Sequence, residues 1–194
     1  MIFLVFPPVL VGKGDPVLCR CHHRRRDAML FSATWEIGEM ETPTDLKEVV
    51  IPPERAVFWM DRFGRWCNES GRFRHKKLID YFNSSIRRDG HGYFVEQIRE
   101  TVREKVYFLY EDTPLFVVDV SLGPPIDFLL NTGERLPLIP DRLFVHGDDL
   151  YMEREAERIK FTDRVLLKIA GLIDFDGRHY AISVDGRWHT LAER

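Results

Sequence analysis

SIRRDGHGYFV, residues 85–95, and LIDFDGRHYAI, residues 172–182, decide how this chain is read. Each run closes an apolar helical pattern, passes through Asp-Gly and launches an apolar run marked by a tyrosine. Before the first, Leu78, Ile79, Phe82 and Ile86 share one helical face. Arg87 and Arg88 then fall in the last turn, where cations favour the carbonyl end of the helix dipole. Gly90 suits the left-handed position after a helix. The pattern predicts a helix over 75–88 and a strand from Tyr93 to Ile98. Before the second, Val165, Leu166, Ile169 and Ile173 form the face of a helix opened by Thr162 as N-cap. The strand HYAISV (179–184) follows, and Asp185-Gly186 has the chemistry of a type I′ turn into RWHTL (187–191).

A shift of 87 positions lays one copy on the other: Leu78 on Val165, Phe82 on Ile169, Ile86 on Ile173, Asp89 on Asp176, Gly90 on Gly177 and Tyr93 on Tyr180. Each copy also follows a hairpin pattern. In the first, AVFWMD (56–61) returns through RWCNE (65–69); in the second, LFV (143–145) returns through LYMER (150–154). Two copies of so long a period point to paired lobes, since a solenoid needs at least ~3 repeats. The expected fold class is α+β, with two similar lobes, each β-hairpin–helix–β-hairpin, joined by additional antiparallel strands. The joining strands are Val102–Tyr110, the β-rich run LFVVDVS (115–121), which is expected at a central position, and a hairpin over 126–138. The expected division is a disordered or extended leader at 1–55, an N-terminal α+β lobe at 56–101, and a C-terminal mostly-β lobe with one helix at 102–194. On this reading the repeated Asp-Gly stretch is a structural joint, and function belongs between the two joints.

Composition narrows the classes. Of 194 residues, 44% are hydrophobic and 30% charged, as in ordinary globular chains. The net charge of −3 gives no global field toward nucleic acid or anionic membrane. Three cysteines, Cys19, Cys21 and Cys67, are too few for a disulfide framework and fit a reducing, cytoplasmic location. The apolar run IFLVFPPVLV (2–11) is too short to span a bilayer and is broken by Pro7 and Pro8. It also lacks the flanks of a signal peptide. Cys19, Cys21, His22 and His23 are metal-capable types, but no second pair follows at ligand spacing, so neither a metal nor a cofactor is expected.

The residues DRFGRWCNESGRFRHKKLIDYFNSSIRRDGHGYFVEQ (61–97) and REKVYFLYEDTPLFVVDV (103–120) resemble the bacterial domain of unknown function 1285 family. The carrying features are the Asp–Gly–aromatic opening, the Leu- and Phe-bearing helix, the Gly-Tyr-Phe strand and the acidic turn before Pro114. This chain departs in two places. Arg62 and Phe63 separate Asp61 from Gly64, and Leu115 stands between Pro114 and Phe116. The resemblance implies a two-lobed protein with repeated motifs, no known enzymatic activity and a role in signal transduction. It supplies no catalytic residue.

Independent of that resemblance, the chain has no phosphate-loop frame and no nucleophile elbow. The expected function is a non-enzymatic module that binds a small molecule or a protein partner in a cleft between the lobes. Its expected polar contacts are Glu111 and Asp112 from the acidic turn, with Arg74 and Lys77 from the start of the first helix. One rival reading is a metal-dependent hydrolase using His146, Asp148 or Asp149. Another is an RNA-associated factor using the basic patch over 72–88, which Asp80, Asp89 and the overall charge dilute.

Overall fold

In the computed structural model the described residues are 46–194. The expected leader up to residue 45, with Cys19, Cys21, His22 and His23, lies outside them. The chain runs through β1 (Lys47–Ile51), β2 (Trp59–Met60), β3 (Trp66–Asn68), β4 (Gly71–Arg72), α1 (Lys76–Ser84), β5 (Ile86–Asp89), β6 (Gly92–Arg99), β7 (Val102–Tyr107) and β8 (Leu109–Tyr110). It continues through β9 (Leu115–Ser121), β10 (Asp127–Leu130), β11 (Arg135–Pro137), β12 (Leu143–His146), β13 (Asp149–Arg154), β14 (Glu157–Phe161) and α2 (Asp163–Ile169). The last strands are β15 (Ile173–Phe175), β16 (Tyr180–Val184), β17 (Arg187–Thr190) and β18 (Ala192–Glu193). The fold is therefore α+β and rich in sheet. Among the described residues no helix is long and apolar enough to cross a membrane.

Four sheets carry these strands, in the orders β1-β7-β6-β5, β4-β3-β2-β8, β11-β10-β9-β14-β13-β12-β18 and β15-β16-β17. As the β-branched run predicts, β9 lies inside the seven-stranded sheet, and Leu115, Phe116 and Val117 are all buried. Its pairing corrects the expectation of antiparallel joining strands, because β9 runs antiparallel to β10 but parallel to β14. A parallel pair needs a long crossover, and the chain between Ser121 and Glu157 provides it. Two expected boundaries also differ. β1 lies within the span read as leader, yet it pairs in parallel with β7 and buries Ile51. The 101/102 division falls inside the tight turn of the β6–β7 hairpin, where Arg99 pairs with Val102.

The aromatic content builds the core. Phe58, Phe82 and Phe108 surround Trp66 at centroid distances of 5.6, 5.2 and 4.8 Å, and the indole N–H donates to Asn83 Oδ1 at 2.8 Å. Edge-to-face packing of this kind adds to area burial, and the hydrogen bond satisfies the buried ring's only polar group. Phe128 and Phe161 pack edge-to-face at 4.9 Å beneath the seven-stranded sheet. The two aromatic groups belong to one continuous apolar cluster. Arg62 and Phe63, which set the chain apart from the family's opening, lie in the β2–β3 turn. There Asp61 Oδ1 accepts the N–H groups of Phe63 and Arg65. Gly64 in that turn has φ +74°, and a Cβ on it would stand 2.8 Å from the Phe116 ring, so only glycine lets the turn rest on β9.

The opening stretch folds differently from its helical reading. α1 stops at Ser84, and residues 86–89 form β5, which pairs with β6. Asp89-Gly90 is thus a hairpin turn and not the end of a helix. Ser85 leaves the helix, and its carbonyl accepts the Glu96 N–H at 2.9 Å, so cross-strand pairing takes over where one more helical turn was expected. The second copy behaves alike. α2 ends at Ile169, a short 3-10 turn covers Ala170–Leu172, and Ile173 opens β15. Thr162 sits at the N-cap with extended backbone, but its hydroxyl donates to the Val117 carbonyl at 2.9 Å and makes no cap bond. The 87-position shift survives in the register: Ile86 pairs with Val95 and Arg88 with Tyr93, as Ile173 pairs with Ile182 and Phe175 with Tyr180.

Candidate functional site

Reading 86–95 as a hairpin changes which side chains share a face. Strand periodicity of two puts Ile86 and Arg88 of β5 beside Tyr93 and Val95 of β6. Ile86 and Val95 enter the core, and Arg88 and Tyr93 reach the edge of a cleft of about 330 Å³. Its far wall is Leu115 of β9, Thr132 and Glu134 of the β10–β11 turn, Arg154 of β13 and Glu157 of β14. The volume lies at the lower end of small-molecule pockets and holds on the order of ten waters.

The polar groups of the cleft are organised around Glu157. Its Oε1 accepts the Tyr93 hydroxyl at 2.9 Å, and its Oε2 accepts Arg154 Nε at 3.0 Å and Nη2 at 2.6 Å. Arg154 Nη1 donates to Glu134 Oε1 at 2.7 Å. Arg88 reaches Glu157 only at 3.7 Å, and its guanidinium carbon stands 5.4 Å from the centre of the Tyr93 ring. Burial and the Glu157 carboxylate push the Tyr93 phenol up, which keeps it a hydrogen-bond donor at neutral pH. Burial works against the charge of Arg154, but its bonds to Glu134 and Glu157 outweigh that and raise its pKa. The buried Thr132 Oγ1 has no hydrogen-bond partner among the described residues.

The acidic turn has a different role. Asp112 Oδ2 accepts the Tyr151 hydroxyl at 2.7 Å and Lys160 Nζ at 3.1 Å, and Oδ1 accepts Arg158 Nη2 at 2.6 Å. Lys160, 5% exposed, also donates to Asp149 Oδ2 at 2.6 Å. Burial disfavours the Asp112 charge, yet the Tyr151 and Lys160 bonds prevail and hold its carboxyl below the usual range. Burial likewise opposes the Lys160 charge, and its two carboxylates overcome it and raise the ammonium. The Tyr151 phenol is pushed up to about 12, first by burial and then by Asp112. Both Asp112 oxygens are engaged in this closed network, which ties the turn to β13 and β14. Glu111 Oε2 accepts the Arg62 N–H at 3.0 Å. Arg74 and Lys77 follow β4, whereas Glu111 and Asp112 follow β8, at the opposite edge of the same sheet. Those edges are three strand spacings apart, about 14 Å. Among the described residues Asp112 bonds Arg158, Lys160 and Tyr151 and Glu111 bonds the Arg62 N–H, and neither bonds Arg74 or Lys77.

The residues of the hydrolase reading are also separated in role. His146 Nδ1 bonds the Arg194 carbonyl, and Asp149 is paired with Lys160. Asp148 lines a second, smaller cleft of about 150 Å³, whose other walls include Leu150, Leu166, Ile173, Tyr180 and Leu191. Among the described residues no three His, Cys, Asp or Glu side chains converge as a metal would need. In the basic patch, Lys76 is paired with Asp80 at 2.6 Å, and Arg87 Nη1 donates to the Ser84 and Ile86 carbonyls.

Of the polar residues lining the cleft, Arg87, Arg88 and Tyr93 belong to the repeated stretch, which the sequence assigns to a joint. No local strand pattern over 86–89 marks them, and the pairing of β5 with β6 is what places them together. Thr132, Glu134, Arg154 and Glu157 carry no local signal, since three separate strand or turn segments bring them there.

No protein-family model matches the chain, and no curated protein is similar to it in sequence. The fold has known counterparts. The crystal structure of a DUF1285 family protein from Silicibacter pomeroyi DSS-3 matches with a TM-score of 0.52 at 15% identity, over 78% of this chain and 88% of that one. A DUF1285 family protein from Shewanella baltica OS155 matches with a TM-score of 0.41 at 20% identity, over 59% of this chain and 91% of that one. The resemblance read from residues 61–97 and 103–120 is thus accompanied by likeness to structures of the DUF1285 family, and at this identity the likeness is one of fold.

Proposed function

We propose that the protein is a non-enzymatic binding module whose ligand or partner group enters the cleft between the β5–β6 hairpin and the seven-stranded sheet. The observation that carries this reading is the convergence of Arg88, Tyr93, Thr132, Glu134, Arg154 and Glu157 around one 330 Å³ space. Convergent polar groups at a recess with apolar walls are the usual makings of a binding site. The groups suit holding better than proton transfer. The guanidinium groups stay charged, and the Tyr93 phenol is held protonated.

On this proposal the two helix–hairpin units are two similar lobes, and the binding cleft lies between the hairpin of the first and the seven-stranded sheet. Signal transduction, which the family resemblance implies, is the setting in which such a module would act, in the cytoplasm that the sparse cysteines fit. A thermal-shift screen of small molecules on the full chain tests the core of the proposal. A cleft ligand should raise the melting temperature by linkage and lose that effect in Arg88→Ala. Binders whose shifts are the same in Arg88→Ala and Tyr93→Ala would place binding elsewhere, and turnover of a bound compound would end the non-enzymatic reading.

A further inference from the structure

The hydrogen-bonding capacity left open in this cleft is mostly on the donor side. Both oxygens of Glu157 are taken, by Tyr93 and by Arg154. Glu134 gives one oxygen to Arg154, and its other lies on the most exposed of the four paired side chains, 48% accessible, where water can serve it. The donors are less occupied. Arg88 donates no hydrogen bond among the described residues, and its one ionic contact is 3.7 Å long. The Thr132 hydroxyl has no partner there either, although its oxygen is buried. A guanidinium offers five N–H donors in a planar fork that matches a carboxylate or phosphate. Beside it, the Tyr93 ring with Ile86 and Leu115 gives an apolar wall.

We infer that the cleft takes a small organic anion, a carboxylate or phosphate monoester on a flat apolar body, with the anionic group on Arg88 and Thr132 and the body along Tyr93. This rests on the binding-module reading and adds the chemical class of the ligand. Glu157 holds Tyr93 and Arg154 in place from behind, so the anion meets Arg88 without having to displace a strong ion pair.

The test is calorimetric titration of the full chain, at low salt, with benzoate, phenyl phosphate, inorganic phosphate and benzylamine. At least one of the two aromatic anions should bind about tenfold or more tightly than the benzylammonium ion, since hydrogen bonds to a charged group are worth that ratio. Arg88→Ala should weaken the anion about tenfold or more, with Arg88→Lys recovering part of the loss. Thr132→Val, a near-isosteric change, should weaken it by a smaller factor and keeps the test open if the arginine variant folds poorly. The benzoate to phenyl phosphate ratio identifies the head group. Equal binding of inorganic phosphate would overturn the apolar body. Equal or tighter binding of benzylammonium, still sensitive to Tyr93→Ala, would overturn the anion class while leaving the cleft as a binding site. No binding by any of the four would overturn the anion proposal, and the broad thermal-shift screen would then decide the cleft reading separately.

Discussion

The hairpins β5–β6 and β15–β16 share one register, yet they present opposite chemistry at the same pair of positions. In the first, Arg88 lies over Tyr93 with its guanidinium carbon 5.4 Å from the ring centre. In the second, the counterpart pair is Phe175 and Tyr180, with ring centroids 4.7 Å apart. Each hairpin borders a cleft, one of about 330 Å³ with three arginines and two glutamates on its walls, the other of about 150 Å³ and mainly apolar. A backbone frame can be used twice because its register depends on the alternation of core residues, Ile86 with Val95 and Ile173 with Ile182. Residues one strand period further out are free of that constraint, and there the two copies diverge.

This comparison can be broken or sharpened by substitution. The largest effect is expected at Glu157, which anchors the first hairpin and has no counterpart at the second. Glu157→Gln leaves Tyr93, Arg88 and part of Arg154 without their carboxylate. Stability should fall by about 3 kcal/mol, with thermal unfolding ~6–12 °C lower, and the β5–β6 amides should lose more hydrogen-exchange protection than those of β15–β16. Equal loss in both hairpins would mean that Glu157 supports the fold at large and not the first copy.

Asp112→Asn comes next, at about 2 kcal/mol near neutral pH, because the network keeps Asp149 on Lys160. Its folded carboxyl is depressed, so its contribution is present above the unfolded value near 3.8 and is lost as pH falls through the lower folded one. Wild type and variant should therefore converge in acid denaturation below that range. A constant gap down to the lowest pH would remove Asp112 as the origin. At the alkaline end the raised Lys160 contributes below its unfolded pKa and loses that contribution as pH rises through its folded one. A smaller difference is expected between the two Asp-Gly turns. Gly177 has φ +91°, whereas Gly90 is not in the left-handed region and a Cβ on it would meet nothing within 4 Å. Gly177→Ala should cost about 1–2 kcal/mol, and Gly90→Ala should stay within about 0.5 kcal/mol in urea unfolding. The smallest contrast is Tyr93→Phe, at about 1 kcal/mol for the lost bond to Glu157, against Tyr180→Phe, within about 0.5 kcal/mol. Equal values for the two tyrosines would show that the cleft bond adds nothing.

Legibility followed the range of the interaction. The helix starts, the central run 115–121, the hairpins at 143–154 and 180–190 and the 87-position echo were all readable, because each rests on local periodicity or turn chemistry. The end of α1 was not. Leu78, Ile79, Phe82 and Ile86 keep a helical spacing, but Ile86 is held by Val95 across a strand pair that no local pattern announces. The acidic turn looked like a binding element because two carboxylates stood beside Pro114. Arg158, Lys160 and Tyr151, which occupy Asp112, come from strands about 40 or more residues away in sequence.

By itself the sequence determined the α+β class of fold and the spacing that β5–β6 and β15–β16 share in register. Those depend on side-chain period and hydrophobicity, which act over a few residues. Only the tertiary structure decided which charges are spent and which remain open. A carboxylate at Asp112 and a guanidinium at Arg88 look alike as exposed charges in a chain. Whether each finds partners depends on strands brought together by parallel pairing and crossover, a long-range outcome that local patterns do not encode.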